Sequence, residues 1–371
     1  MPEPLKSGTT NRGGDREARR RNSRSSCLLT GKNFFLFLLT VSRQNIVGSA
    51  SCMITVEDLV KDFGPKRAVN RVSFSVQKGE ILGFLGPNGA GKSTTMRMIT
   101  GFFPPTSGRV TVGGHDIGEN PIPAKRLIGY LPESAPCYSD MTVHGFLAFA
   151  AEMRGLHGTA REQAIQRVVG LCFLESVLHQ SVDTLSKGFR HRTCLAQSLI
   201  HDPPILVLDE PTDGLDPNQK HEIRQLLKRF GRDKAIIFST HILEEVDAVC
   251  SRAIIIDRGQ VVANGTPAEL RARHELAGSV SLRVQGTAAE VVRSKLHALP
   301  AAGRVVVQGD AATVSARVYP RDKPVNGDLA RSLADLAQRE GWRFDELRTE
   351  EGRLDDVFRS ITRPETAKAA E

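Results

Sequence analysis

The chain has 371 residues, 40% of them hydrophobic and 25% charged, enough to bury the cores of two or three domains and too apolar for global disorder. One Trp and three Tyr exclude a base-stacking nucleic-acid binder, and six cysteines without a CxxC pair give neither a disulfide framework nor a zinc site, so a reducing cytosol is the simplest setting. The net charge of +8 sits mostly in residues 1–52, where nine Lys and Arg face three acids; the rest is nearly neutral and carries no DNA-binding signature.

Residues 1–52 combine a basic stretch from Arg12 to Arg24, an apolar run from Phe34 to Val41 and small residues at Gly48-Ser49-Ala50. Their order resembles a secretory signal. The apolar run lies between Lys32 and Arg43, well short of the roughly 20 apolar residues a spanning helix needs. Three readings stay open: a non-native leader with translation starting at Met53, a disordered or membrane-surface tail, and an export signal. Without interleaved aromatics, Arg19-Arg20-Arg21 reads as a solvated charge run.

From Met53 the pattern alternates strands and helices. Ile54–Val60 and Val69–Val76 alternate like half-buried antiparallel strands. Ile81–Leu85, Ile205–Leu208 and Ala235–Phe238 are continuous apolar runs that fit a parallel sheet buried on both faces. Helical spacing covers about 142–154, 160–172, 188–201 and 217–230. Ile254–Val262 reads as a hairpin, and Thr266-Pro-Ala-Glu269 as a capping box opening a helix near 267–274. Strand 279–284, helix 288–296, strands 304–307 and 313–318, helix 329–338 and strand 342–347 then follow in the β-α-β-β-α-β order of ferredoxin-like folds. A short helix near 354–361 closes the pattern.

Two motifs carry chemistry. Gly86-Pro87-Asn88-Gly89-Ala90-Gly91-Lys92-Ser93-Thr94 fits GxxxxGK[ST] and lies between a strand and a helix. Its backbone N–H groups can wrap phosphates at a helix N-terminus, with Lys92 as a point charge and the Ser93 hydroxyl as a Mg²⁺ ligand. Asp209 and Glu210 end the buried strand 205–208; Asp209 can hold Mg²⁺, and Glu210 can act as general base toward an attacking water. Standing alone, the pair would read as acids at a strand end reaching solvent.

With these motifs in place, further residues bring a family into view. Leu185-Ser186-Lys187-Gly188-Phe189 resembles the LSGGQ signature of ABC ATPases, Gly214-Leu215-Asp216-Pro217 resembles their D-loop, and Thr240-His241 their switch histidine. The order and gaps agree, with 94 residues from Lys92 to Ser186, 23 to Asp209 and 32 more to His241. The resemblance spans about 54–275. Ile128–Glu133, Leu185–Arg190 and the ending Leu354–Arg359 are similar to ABC-2 type exporter ATPases, particularly the gliding-motility group.

The resemblance implies an α/β fold: a P-loop ABC ATPase domain with a mixed sheet and helical subdomain over 53–275. A small α+β ferredoxin-like domain over 278–362 and a disordered tail at 363–371 complete it. ATP and Mg²⁺ are the implied cofactors. Phe63 would stack on adenine, although a core Phe at a strand end is the alternative. Ser186, Gly188 and Asp216 would complete the site of the opposite subunit, and His241 would hold the γ-phosphate. Glu133, standing where the family carries glutamine, would meet Mg²⁺. The implied partners are a second ATPase subunit, most simply a homodimer, and a separate ABC-2 permease docking near Tyr138–Arg154. That permease would hold the chain at the cytoplasmic face of the bacterial inner membrane. A soluble ABC ATPase of translation or DNA repair is the rival, but it usually carries two ATPase domains or a long coiled-coil insertion. A GTPase would need an NKxD motif, which the sequence lacks.

Overall fold

The computed structural model describes residues 52–134, 136–309, 313–322 and 328–362. The expectations for residues 1–51 and 363–371 lie outside these described residues.

Alternating sequence makes the first layer. In β1 (Cys52–Phe63) and β2 (Lys66–Gln77), Ile54, Val56, Val72, Phe74 and Val76 are buried between more exposed neighbours, and the two strands pair antiparallel. β3 (Ile81–Leu85) is buried at every position and leads through a glycine-rich turn into α1 (Lys92–Ile99). The sequence reading leaves the next stretch open. It holds β4 (Ser107–Val112), the two-residue β5 (His115–Asp116), α2 (Pro121–Arg126) and β6 (Ile128–Leu131). Strands β2, β1, β4 and β5 form an antiparallel sheet in that order.

A helical layer follows: α3 (Val143–Met153), α4 (Gly158–Cys172) and α5 (Lys187–Leu199). The chain then alternates β7 (Ile205–Asp209), α6 (Pro217–Phe230), β8 (Ala235–Thr240) and α7 (Leu243–Val249). The hairpin of β9 (Arg252–Asp257) and β10 (Gln260–Gly265) and the capping-box helix α8 (Pro267–Ala272) end this part. The second sheet runs β10-β9-β3-β8-β7-β6, parallel from β9 to β6, with β10 as an antiparallel edge. Its two faces are covered differently. One packs with the antiparallel sheet and α1 around Phe74, Phe84, Met96 and Ile237; the other packs with the helical layer around Leu147, Leu195, Leu208 and Phe238.

Registers in the parallel sheet position the chemistry. Leu85 lies opposite Thr240, and Asp209 opposite Ser239, so β3, β8 and β7 end along one edge. Ligands of open parallel sheets gather at this carboxyl edge.

The third sheet contains β11 (Val280–Gln285), β12 (Ala302–Gly309), β13 (Thr313–Pro320) and β14 (Arg343–Thr349) in the order β12-β13-β11-β14, all antiparallel. Helices α9 (Ala289–His297) and α10 (Asp328–Arg339) supply Val292, Leu296, Leu333 and Leu336 to its own core. The last helix, α11 (Leu354–Ile361), departs from the expected division at 278. Leu354, Phe358 and Ile361 pack with Leu85, Val246 and Leu270 of the first part. Its apolar stripe packs beside α7 and α8.

Candidate nucleotide site

Glycine makes the phosphate loop possible. Gly91 caps α1 in the left-handed region, at φ 106°, and a Cβ there would meet the Ala68 carbonyl oxygen at 2.6 Å. At Gly86 a Cβ would lie 2.4 Å from the Ile256 oxygen. The loop bends tightly, with Ala90 N–H donating to Pro87 O at 3.2 Å, while Asn88 and Gly89 face solvent. Its end opens the first turn of α1 through Lys92, Ser93 and Thr94. No side chain caps that turn, so its N–H groups are available to an anion.

Lys92 is buried, and its Nζ donates to the Gly86 and Pro87 carbonyls at 2.8 and 3.2 Å. Burial lowers its pKa, while Glu210, Asp209 and Glu133 oppose the shift by their charges. Lys92 is thus within electrostatic reach of the three expected carboxylates Glu210, Asp209 and Glu133. Ser93 Oγ donates to Glu133 Oε2 at 3.5 Å, which puts these two expected metal residues side by side.

At the end of β7, Asp209 is fully buried. One carboxylate oxygen accepts from Ser239 Oγ; the other, Oδ2, has no partner among the described residues. An unpartnered buried acceptor costs about 1–3 kcal/mol, more when charged, and a hard cation or its water removes that cost. The donor set of Ser93, Asp209 and Glu133 is all oxygen and fits Mg²⁺.

Glu210 follows in left-handed conformation, at φ 53°. Its N–H donates to the Ser239 backbone oxygen and Oγ, at 3.2 and 3.1 Å. Its Oε2 lies 2.6 Å from Nδ1 of His241. Desolvation raises the Glu210 pKa, against the pull of His241 and Lys92. A carboxylate raised from its ordinary range and held beside a phosphate loop is suited to accept a proton from water.

Residues 69–213 match the family model described as ABC transporter. The linearmycin resistance ATP-binding protein LnrL of Bacillus subtilis is 39% identical over 236 residues, covering 63% of this chain and 76% of that protein. A Nod factor export ATP-binding protein I from Ralstonia nicotianae is 33% identical over 311 residues, 84% of this chain and 94% of the relative. The chain belongs to the ABC transporter family. A solved structure described as the ATP binding subunit of an ABC transporter agrees at TM-score 0.56 and 30% identity, covering 59% of this chain and 92% of that one. The dimeric bacterial ABC transporter cassette MJ0796, 23% identical, shares the fold at TM-score 0.55 over 58% of this chain and 99% of its own. ATP is the nucleotide of this ABC ATPase and its hydrolysis the reaction.

Ser186, Gly188 and Asp216 of the ABC ATPase lie at the starts of α5 and α6, elements other than the phosphate loop and α1. Ser186 caps α5, accepting from Phe189 N–H at 3.3 Å, and Gly188 lies in the first turn, where a Cβ would press on Gln219 Oε1 at 3.1 Å. Their helix packs on α3 and α4, whereas α1 packs against β2, β4 and β7. Asp216 caps α6 by accepting from Gln219 N–H at 2.9 Å. Lys187, which replaces a signature glycine, extends over Gly214 and pairs with Asp213 at 2.7 Å. Phe63 is 48% exposed and meets Phe103 edge-on at 5.8 Å, so it is no core residue.

Sequence reasoning passed over Ser239 and Glu245. Ser239 ties Asp209 to the backbone of Glu210. Glu245 is 1% exposed and binds the hydroxyls of both Thr212 and Thr240. A Ser in an apolar strand and a Glu on a short helix carry no local signal of such roles. The packing of β7, β8 and α7 creates them.

Proposed function

We propose that this chain is the ATP-hydrolysing subunit of a bacterial ABC-2 type exporter, driving a separate permease through head-to-tail pairing with a second ATPase subunit. The observation that carries this reading is likeness to a Nod factor export protein along most of the chain, beyond the ATPase core alone. The permease would hold the chain at the cytoplasmic face of the inner membrane. Among the described residues no helix is long and apolar enough to cross a membrane.

In this reading the loop from Gly86 to Thr94 wraps the phosphates, Lys92 neutralises their charge, and Phe63 stacks on adenine. Ser93, Asp209 and Glu133 would hold Mg²⁺, which supplies charge neutralisation at the phosphates. Glu210 accepts the proton of the attacking water, and His241, in contact with Glu210, orients that water and the γ-phosphate. Ser186, Gly188 and Asp216 serve the other subunit's nucleotide. Their placement at the starts of α5 and α6, elements other than the phosphate loop and α1, supports this assignment.

The docking face centres on Tyr138, 54% exposed, and Met153, 71% exposed, with Phe149 edge-on to Tyr138 at 5.6 Å. Aromatic anchors of this kind carry much of an interface's energy. The test is purification from membranes with the permease encoded beside the chain. The permease should co-purify, and Tyr138→Ala with Phe149→Ala should cut its recovery by roughly tenfold or more while ATP hydrolysis by the isolated chain persists. Recovery that ignores both substitutions would remove this face from the interface, and absence of any co-purifying membrane protein would defeat the exporter reading.

A further inference from the structure

We propose that Glu245 is a positioning residue for hydrolysis, a buried carboxylate that holds Glu210 and His241 in register by tying together the segments that follow β7 and β8. The proposal rests on the roles given above to Glu210 and His241. It adds the device that keeps their 2.6 Å contact in place.

Glu210 and His241 sit on two different segments, and each begins where a strand has just ended. Glu210 lies one residue beyond β7, in a left-handed backbone conformation that disfavours any residue with a Cβ by about 1–2 kcal/mol. Such a conformation persists only where neighbouring contacts over-determine it. Ser239 fixes the near side of Glu210 by accepting its N–H. The far side is held by the turn 210–213, in which Asp213 N–H donates to Glu210 O at 3.1 Å. Thr212, 4% exposed, stands inside that turn and donates its hydroxyl to Glu245 Oε1.

The same carboxylate holds the other segment. Thr240, 1% exposed and immediately before His241, donates Oγ1–H to Glu245 Oε2 at 2.7 Å. That hydroxyl also accepts from Ile242 N–H at 3.0 Å, so its own orientation is fixed from both sides of His241. Arg224 of α6 places Nη2 3.6 Å from Glu245 Oε1 and balances the charge. The two oxygens of one side chain thus bridge the loop bearing Glu210 and the end of β8, one residue before His241. Glu245 touches neither of them. Its side chain projects from the first turn of α7, a helix otherwise anchored by Val246 and Val249 in the core. A shift of either threonine would leave a buried carboxylate oxygen without its donor, which resists motion of one segment relative to the other.

The measurement is steady-state ATP hydrolysis by the full chain, with kcat and KM resolved, for Glu245→Gln, Thr212→Val, Thr212→Ser and Glu210→Gln, and for Glu210→Gln combined with Thr212→Val. Thr212→Val keeps the shape and deletes the hydroxyl, so it can be read even where Glu245→Gln does not fold. Thr212→Val should lower kcat by about tenfold or more with KM for ATP within about threefold, because the phosphate loop is untouched. Thr212→Ser should restore most of the loss. Adding Thr212→Val to Glu210→Gln should slow turnover little further, since the bridge acts through the residue already removed. A normal kcat in Thr212→Val, or losses that multiply in the combined variant, would overturn the bridge. Normal turnover in Glu210→Gln would instead defeat the general-base role and leave the two failures distinguishable.

Discussion

Glu210 gathers several constraints at one position. Its backbone is left-handed, its carboxylate touches His241 Nδ1, and desolvation lifts its pKa. Glu210→Gln preserves size and deletes the proton acceptor. Turnover should fall at least about 100-fold while ATP binding persists, and ATP-bound dimers should accumulate. Unchanged turnover in a purified preparation would remove Glu210 from the reaction. The acid limb of the wild-type profile belongs to the same group. Because its folded pKa is raised, activity should decline at a pH above the ordinary glutamate range as the base becomes protonated. A limb within the ordinary range would mean that desolvation at Glu210 is lost in the working dimer.

At the scale of elements, the junction of α5 with β6 and β7 carries a pH-dependent weakness. His201 follows α5, and its Nε2 lies 3.2 Å from the Ile128 carbonyl oxygen of β6. Nδ1 is buried without a partner among the described residues, and burial, reinforced by Arg154, lowers the pKa to about 4. The sign follows from that depression. The unfolded chain takes up the proton near pH 6.5 and the folded chain resists it to about 4, so stability is full above the unfolded value and falls as pH drops between the two. Full linkage from pH 7.5 to 5 amounts to about 2 kcal/mol, reduced to about 1 kcal/mol by partial exposure of the ring. Urea unfolding at the two pH values should show wild type losing about that much more than His201→Gln. Equal losses would show that His201 does not set the weakness. The helix α11 illustrates another element-scale effect, since its stripe of Leu354, Phe358 and Ile361 joins the core beside α8 rather than the sheet before it.

For the whole molecule, the proposed head-to-tail pairing would make one chain half of two sites. Lys92→Ala damages the chain's own phosphate loop, and Ser186→Arg blocks the face offered to a partner. Each variant alone should be inactive. Mixed together they form some dimers in which an intact loop faces an intact signature, and hydrolysis should partly return. No recovery after demonstrated subunit exchange would refute shared sites, as would undiminished activity in monomeric Ser186→Arg. The exposed Phe149 and Met153 lie on α3 and the exposed Tyr138 just before it, and these are the residues the proposed permease would cover.

Much of the site was legible in order along the chain. Gly86 to Thr94 between a strand and a helix, the acids ending an apolar strand, and His241 after another are local patterns, and each follows from what its short segment must do. The elements legible in the same way have one strong period: the alternation of β1 and β2, the unbroken apolar runs of β3, β7 and β8, and the capping box of α8. Short or weakly patterned pieces, β4 to β6 and α7 among them, are fixed by neighbours rather than by period. Tertiary structure alone decided which strand ends meet. The parallel registers of β3, β8 and β7 bring residues more than a hundred positions apart to one edge. It alone also buried Asp209 Oδ2 without a partner among the described residues and placed Glu245 between two threonines. Sequence determined which groups can do chemistry because that depends on side-chain type and local backbone freedom. Distance, burial and the hydrogen bonds that hold a carboxylate in place depend on residues remote in the chain, so only the packed sheets and helices could set them.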